Sequence, residues 1–259
     1  MWMFRTGRGS PPIILYDYQT TRAAKHPVRF LEGFSGTLQV DGYAGYNQLR
    51  PKVQLAGCWA HARRNFIEVL DSLPKGTDQT GSLSAEALKM IAELYAIESK
   101  LKVLWSDSLT EDAVQAIQAA RQSKSTEICD RYFQFCKANK NRSTGKLRQA
   151  LEYGLNEEQK LRHFLSYPSC EIDNNRAERS IKPFVMGRKA WLFSNTQRGA
   201  RGSAMLYSLI VTAKENKLKI YDYLVFVLKQ IPAGGFDNAS DWQTLMPWSD
   251  DLPVDLRVK

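Results

Sequence analysis

Two short apolar runs near the start of the chain each end abruptly in polar residues. Residues 38–40 are followed at once by Asp41 and Gly42, and the run that begins at Val53 ends in the polar segment 61–64. A buried strand that stops at Asp-Gly puts a carboxylate at its carboxyl end, the edge of an α/β sheet at which ligands and metals usually bind. Asp-Gly is also a common turn dipeptide, so a plain turn is the alternative interpretation of Asp41.

A second carboxylate, Glu178, lies within a dense group of cationic side chains. Between positions 171 and 201 the sequence has seven lysines and arginines against three acids, a net charge of +4 that suits a polyphosphate partner. Asp173 and the two asparagines after it are good N-cap residues, and Pro183 limits a helix that starts there. Glu178 is therefore expected in a short helix, whose dipole favours the ionised carboxylate. A solvated face on which Glu178 pairs with a neighbouring cation is the alternative.

Hydrophobic periodicity predicts an α/β chain with strands first and helices later. Residues 2–5 and 13–18 are predicted to form a hairpin. The other predicted elements are a short helix at 26–34, strands at 38–41 and 53–59, a helix at 60–72, and amphipathic helices at 202–216 and 220–231. Helical spacing from 83 to 165 indicates an all-helical insertion at 82–167. It divides a core into parts 1–81 and 168–232, and 233–259 is a C-terminal tail.

Four segments resemble a known family. They are LQVDGYAGYN, GCWAHARRNF, LYAIE and IDNNRAERSIKPFVMGRKAWLFSNTQRGARGSAMLYSLI, in this order along nearly the whole chain. The pattern is similar to the C-terminal portion of the DDE transposases of insertion-sequence family 66. That resemblance implies a ribonuclease-H-like core that cuts and joins DNA with three carboxylates and two divalent ions.

The resemblance also implies the roles of individual residues. Asp41 corresponds to the second catalytic aspartate and Glu178 to the final glutamate, and both would bind Mg²⁺ or Mn²⁺ in a two-ion site. The segment from Cys58 to His61 matches a C-x-x-H signature of several DDE groups, which implies that His61 positions a scissile phosphate. A hydrogen-bonded core histidine and a structural zinc site are the alternatives for His61.

The first catalytic aspartate of the family is expected to be absent. Family members carry it in an Asp-Glu-Thr segment before a strand that resembles WMFRTG, whereas this sequence starts at Met1-Trp2-Met3. Asp17 and Glu32 are the acids before Asp41, and the role is not transferred to Asp17, which lies in the counterpart of the family's third strand. The first core strand would be missing too, which leaves unpaired backbone on two neighbouring strands. The truncated chain is therefore expected to be inactive, and a non-catalytic DNA-binding or assembly remnant is the alternative function.

Cations near the two carboxylates are predicted to form one DNA-binding surface. They are Arg63, Arg64, Arg179, Lys182, Arg188 and Lys189, and Trp191 follows closely enough to stack on an unpaired base. Phosphate contacts add affinity without sequence specificity. Residues 137–148 carry five further cations and no acid, which indicates either an exposed loop or another phosphate contact. A core position is the alternative for Trp191.

Composition limits the partners and the compartment. A net charge of +9 favours an anionic partner, here transposon-end and target DNA, with self-association or accessory transposition proteins as further partners. Four unevenly spaced cysteines predict free thiols in a bacterial cytoplasm, on the nucleoid when the protein binds DNA. No apolar run approaches the roughly 20 residues that span a bilayer, which argues against a membrane protein.

Overall fold

Contacts divide the chain into two units. This computed structural model describes residues 1–50, 52–105, 109–191 and 194–258, without the side chains of Ala190, Trp191 and Ala233. One unit, here called the split unit, combines Met1–Arg22 with Arg176–Lys259. The other, the continuous unit, is Ala23–Asn175. Each unit has its own pair of strands and its own hydrophobic core.

The split unit begins with the predicted β-hairpin. β1 (Trp2–Arg5) pairs antiparallel with β2 (Ile14–Asp17). The hydroxyl of Thr6 supports the turn because it accepts a hydrogen bond from the amide of Ile13 at 2.9 Å. A two-stranded hairpin is marginally stable in water, so its stability depends on the helices that pack against it.

One helix of the split unit covers the outer edge of β2. In α9 (Gln197–Glu215), the Thr212 hydroxyl accepts from the amide of Ile14 and donates to its carbonyl, both at 3.0 Å. The Ser208 hydroxyl accepts from the amide of Tyr16 at 2.9 Å. These backbone groups point away from β1, because bonded and non-bonded pairs alternate in an antiparallel ladder. Side-chain hydroxyls of a helix therefore replace a neighbouring strand.

The helix that carries Glu178 is longer than the sequence predicts. α8 (Asn175–Trp191) contains Pro183, so the expectation that this proline ends a short helix is wrong. Proline removes the backbone hydrogen bond to the carbonyl of Arg179. Both residues are exposed, so water can bind that carbonyl, and the buried Phe184 packs in the core of the split unit. The helix continues because the lost hydrogen bond lies on its solvated side.

The C-terminal segment folds back on the end of α9 and on α10 (Ile220–Gln230). Leu218 forms a β-bridge with Arg257, and the amide of Lys219 donates to the carbonyl of Leu256 at 2.8 Å. Before this bridge lies the short α11 (Ala239–Gln243), which starts in a capping box. Leucines of the C-terminal segment thus share a core with α10.

The continuous unit contains a parallel strand pair. β3 (Gly36–Gln39) and β4 (Val53–Ala56) lie side by side after α1 (Lys25–Phe30), and a 3₁₀ segment at Ala44–Leu49 is part of their connection. β3 ends two residues earlier than predicted. β4 ends three residues earlier, because Cys58 is the N-cap of the next helix, α2 (Trp59–Asp71).

Strands and helices together confirm the predicted mixed α/β class. In the described ranges each sheet has two strands, one pair antiparallel and one parallel. No solved structure matches the chain. The ribonuclease-H-like core therefore stays a prediction, as do the missing first strand and the predicted domain boundaries.

Helices follow α2 along the continuous unit, as the periodicity predicts. They are α3 (Leu83–Leu101), α4 (Glu111–Ala120), α5 (Thr126–Lys140), α6 (Gly145–Asn156) and α7 (Glu158–Leu161). Trp59 and Phe66 of α2 are fully buried against the ring of Tyr132 in α5. This aromatic cluster joins the helices to the end of β4.

A buried ion pair fixes the segment that leads from the end of α7 to the start of α8. Arg121 donates to both carboxylate oxygens of Glu98, at 2.8 and 2.7 Å, and both side chains are buried. The same guanidinium donates to the carbonyls of Phe164 and Tyr167 at 2.9 and 3.2 Å. Its hydrogen bonds therefore tie α3 to the return segment, which we define as residues 160–175.

Within the described ranges no helix is both long enough and apolar enough to cross a membrane. The four cysteines are free and buried.

Candidate active site

Asp41 lies where the sequence places it, just beyond the carboxyl end of a parallel strand. The preceding amide, that of Val40, donates to the carbonyl of Ala56 at 2.8 Å, which extends the β3–β4 pairing by one step. Asp41 is exposed, and its Oδ1 accepts a hydrogen bond from the amide of Tyr43 at 3.1 Å. The carboxylate is thus fixed by its own turn and remains accessible to solvent.

The turn after Asp41 is closed against α6. Gly42 has φ +86°, and a Cβ added there would lie 3.1 Å from the hydroxyl oxygen of Tyr153. Burial, and then the charges of Glu157, Cys58 and Asp41, raise the pKa of Tyr153. The phenol therefore keeps its proton beside the carboxylate and is available there as a hydrogen-bond donor.

Cys58 and His61 stand at the end of the neighbouring strand. Burial raises the pKa of the Cys58 thiol to about 11, so the thiol is protonated at neutral pH. The amide of His61 donates to the Cys58 carbonyl at 3.2 Å, and its ring is half-buried in the first turn of α2. Among the described residues no group of three His, Cys, Asp or Glu side chains could hold a metal ion. The zinc alternative therefore has no ligand cluster in the described ranges.

The return segment brings a second carboxylate, Asp173, to this edge. Its Oδ2 accepts from the Tyr95 hydroxyl of α3 at 2.8 Å, and its Oδ1 accepts from the amide of Asn175 at 3.0 Å. The side-chain amide of Asn175 adds a contact to Oδ2 at 2.8 Å. Burial, and then the charge of Asp173, raise the pKa of Tyr95, which stays a donor. Asp173 is therefore occupied in starting α8.

Further hydrogen bonds of the return segment fix the strand ends. Gln39 donates to the carbonyl of Glu171 at 2.6 Å, and the amide of Gly57 donates to the carbonyl of Lys160 at 2.8 Å. The indole of Trp59 donates to the carbonyl of Leu161 at 2.9 Å. Backbone and side-chain bonds from far along the chain thus hold the edge on which Asp41 lies.

In the split unit, α8 presents Glu178 in its first turn, half-buried. The helix is anchored from the hairpin: Arg5 donates to the Ser180 hydroxyl at 2.6 Å and to Glu215 at 2.6 Å, and the Tyr16 hydroxyl donates to the Ser180 carbonyl. Burial raises the pKa of Tyr16 to about 12, which keeps this donor protonated. A polar anchor therefore holds the helix at Ser180, two residues after Glu178.

The cations predicted from the sequence are exposed. Arg63 and Arg64 are exposed on α2, and Arg179, Lys182, Arg188 and Lys189 are exposed on α8. Lys182 lies three residues after Arg179, and Lys189 lies seven residues after Lys182. This spacing puts the three cations on one helix face. The side chain of Trp191 lies outside the described residues.

Two family models match this chain. The model of the IS66 family transposases matches residues 1–202, and that of the IS66 C-terminal element matches residues 208–248. The chain belongs to the IS66 transposase family. This confirms the family resemblance of the sequence.

Relatives in the IS66 family that match the chain include three uncharacterized proteins of Sinorhizobium fredii (strain NBRC 101917 / NGR234). The protein y4qI is 35% identical over 254 residues, which cover 94% of this chain and 44% of the relative. The protein y4jD is 34% identical over 93% of this chain and 46% of its own length, and y4hP is 28% identical over 93% and 44%. The chain thus spans less than half the length of these relatives.

In this IS66 family chain, the predicted site residues are divided between the two units. Asp41 and His61 follow adjacent strands of the continuous unit, whereas Glu178 belongs to the split unit. The convergence of Asp41 and Glu178 therefore stays a prediction. Sequence reasoning missed Tyr95 and Tyr153 at this edge, and its signal for Asp173 was the N-cap preference alone.

Proposed function

We propose that this chain supplies the catalytic core of a DDE-type DNA transposase, in which Asp41 and Glu178 are two of three metal-binding carboxylates. The position of Asp41 carries the proposal, because an accessible carboxylate lies at the carboxyl end of a parallel strand and is fixed by one backbone amide. Membership of the IS66 family supports DNA cleavage and strand transfer as the reaction class.

The chemistry of both carboxylates fits Mg²⁺ or Mn²⁺. Each offers hard oxygen ligands and is at least partly accessible, whereas Asp173 uses both oxygens in hydrogen bonds. When bound, two such ions would stabilise the attacking and leaving oxygens of a phosphoryl displacement. Asp41 and Glu178 would hold them, and in the continuous unit Tyr153 would keep a protonated phenol beside Asp41.

The exposed cations would bind the DNA backbone. Arg63 and Arg64 on α2, with Arg179, Lys182, Arg188 and Lys189 on α8, offer charges that phosphates can contact without reading sequence. His61 would position a scissile phosphate from the first turn of α2. Trp191 would stack on an unpaired base.

Two carboxylates are too few for the complete reaction. The third would come from an upstream Asp-Glu-Thr segment, which the family pattern places before β1. Without it, Asp41 and Glu178 could bind ions only weakly, so we expect no strand transfer by these 259 residues alone.

The test is complementation. Strand transfer of a labelled transposon end with Mn²⁺ should be undetectable for the chain alone and should appear when the Asp-Glu-Thr segment is joined to its N-terminus. Glu178→Gln should then abolish it, because the swap removes a charged ligand at nearly constant shape. Glu111→Gln, at an exposed glutamate in the first turn of α4, is a matched control that should leave activity within about threefold. Robust activity of the unextended chain would contradict the carboxylate count.

The same extended protein tests the convergence of the two carboxylates. Ligands of neighbouring ions should have oxygens within about 4–8 Å of each other. With Fe²⁺ and peroxide in place of Mg²⁺, oxidative cuts of the backbone should cluster near both positions 41 and 178. Cuts near one of them alone would mean that the two side chains do not share a site.

A non-catalytic DNA-binding or assembly role is the second candidate. It is favoured by the fact that Asp41 and Glu178 belong to different units of the chain. Such a protein would bind DNA through the same cations and would stay inactive after complementation. In either role we place it on bacterial DNA in the cytoplasm, with its own copies or accessory transposition proteins as further partners.

A further inference from the structure

The continuous unit has a cavity at the end of its strand pair opposite to Asp41. Its volume is about 540 Å³, within the range of roughly 300–1,000 Å³ for small-molecule sites. α1, the turn before β3 and the segment that ends at Val53, the first residue of β4, line it. The cavity therefore lies at the amino ends of β3 and β4, whereas Asp41 follows the carboxyl end of β3.

Cations dominate the rim of this cavity. Lys25, Arg29, Arg50 and Lys52 line it, against one carboxylate, Glu32. Arg50 donates to the side-chain oxygen of Gln159 at 3.2 Å. Across the described ranges, Lys25, Arg29 and Lys52 form no ion pair with a carboxylate. A concave surface with a net charge of +3 and uncompensated lysines favours an anionic ligand.

Apolar side chains and one aromatic ring also line the cavity. Val28, Leu31 and Leu49 line it and belong to the small core around β3 and β4. Phe34 also lines it and is 39% exposed, and its ring lies 3.6 Å from the position of a Cβ added to Gly36. An anion with a flat apolar part would match this combination better than a bare phosphate.

We propose that this cavity binds an unpaired nucleotide of the DNA on which the transposase acts. The bases of a duplex are stacked inside its backbone, so a duplex would reach only the cationic rim. An unpaired nucleotide can place its base on Phe34 while Lys25, Arg29 and Lys52 bind the flanking phosphates, and such stacking tolerates any base. The inference rests on the proposed function, because it assumes that the chain binds DNA.

The first test compares two phenylalanines of equal exposure. Phe34 is 39% exposed and lines the cavity, whereas Phe30 is 40% exposed on α1 and does not line it. Binding of the full chain to a fluorescent duplex with a five-nucleotide thymidine tail would be measured by anisotropy against a blunt duplex. Phe34→Leu should weaken binding to the tailed duplex by roughly tenfold and leave the blunt duplex within about twofold. Phe30→Leu should change neither.

The second test removes charge. Lys25→Gln, Arg29→Gln and Lys52→Gln together should lower the slope of log affinity against log salt by about 0.7 per lost contact on the tailed strand. The matched control replaces Lys75, Lys89 and Lys124 by glutamine, three exposed lysines away from the cavity. An equal decrease in the slope for both triple variants, or equal weakening of binding to tailed and blunt DNA, would overturn the nucleotide site. It would leave DNA binding by the chain itself untouched. A wild-type chain that binds neither DNA would overturn the DNA role and the site together.

Discussion

The two strand pairs of this protein are stabilised in different ways. In the split unit, β2 is covered by one helix, and the hydroxyls of Ser208 and Thr212 bond its outer backbone groups. In the continuous unit, the carboxyl ends of β3 and β4 are bonded by the return segment, as in the contact from Gln39 to the carbonyl of Glu171. The outer edge of β2 is bonded by two small polar side chains of a helix. The ends of β3 and β4 are bonded by residues more than a hundred positions later in the sequence.

This difference separates local from distant determinants of the fold. An antiparallel hairpin forms from neighbouring residues, whereas a parallel pair needs a crossover. Here it also needs the return segment, which comes back to the strands only after the helices α2 to α7. The edge that carries Asp41 is therefore only as stable as the helical part that delivers the return segment. The predictions below test that dependence from the largest expected effect to the smallest.

Alkaline pH should unfold the continuous unit first. All four cysteines lie in it, and burial raises the pKa of Cys58 to about 11 and those of Cys129, Cys136 and Cys170 to about 12. In the unfolded chain the thiols lose their protons from about pH 9. The buried, protonated thiols therefore contribute their full share to the free energy of unfolding below pH 9, and that share is lost as pH rises toward 11–12. The loss is on the order of 2 kcal/mol per thiol by pH 11. In the split unit the same effect starts near pH 10, because burial raises the pKa of Tyr16 and Tyr223 from 10.0 to about 12.

Proteinase K digestion between pH 8 and 11, with cuts mapped by mass spectrometry, would measure the order of unfolding. Cuts within 23–175 should appear at lower pH than cuts within 176–258. Cys58→Ala removes one titrating thiol and should make the cutting of the continuous unit less sensitive to pH. Earlier cuts in the split unit would reverse the comparison.

Breaking the buried ion pair should have the next largest effect. Arg121→Met leaves the carboxylate of Glu98 buried without its partner and frees the carbonyl of Phe164, which should cost about 3–5 kcal/mol in the free energy of unfolding. Urea denaturation followed by circular dichroism would measure it. The double variant Arg121→Met with Glu98→Met should recover most of the loss, because no buried charge remains. A cost below about 1 kcal/mol for the single variant would show that the return segment does not depend on this pair.

Removing one hydroxyl from α9 should have a smaller effect in the split unit. Thr212→Val keeps the shape of the side chain but leaves the buried amide and carbonyl of Ile14 without their partner, at a cost of about 1–3 kcal/mol. Hydrogen exchange at the amide of Ile14 should accelerate accordingly. Thr212→Ser retains the hydroxyl and should keep most of the protection. Unchanged exchange in the valine variant would mean that the helix hydroxyl is not what stabilises this edge.

Sequence patterns predicted those features of the fold that depend on residues close together in the chain. The hairpin of β1 and β2 and the placement of Asp41 at a strand end follow from apolar runs that turn abruptly polar. The helices after position 83 follow from periodicity. The family was also identified correctly from its motifs.

Contacts between distant residues could not be predicted in this way. The hydroxyl of Tyr95 meets Asp173, 78 positions later, and the periodic pattern marked Tyr95 as part of a helix face without indicating this bond. Pro183 was expected to end α8, but burial of Phe184 and solvation of the opposite face outweigh the lost hydrogen bond. Whether Asp41 and Glu178 meet depends on the arrangement of two units, which no local pattern specifies.

The prediction with the smallest expected effect tests whether both units contact the same DNA. Arg63→Gln with Arg64→Gln removes two charges from the continuous unit, and Arg179→Gln with Lys182→Gln removes two from the split unit. If each cation contacts a phosphate of duplex DNA, each pair should lower the slope of log affinity against log salt by about 1.8, or 0.9 per contact. Lys75→Gln with Lys89→Gln is the matched control in charge and exposure, and should change the slope by less than about 0.9, the value for one contact. A change in one pair alone would assign DNA binding to that unit. Affinity that does not vary with salt in the wild-type chain would contradict a phosphate-binding surface in either unit.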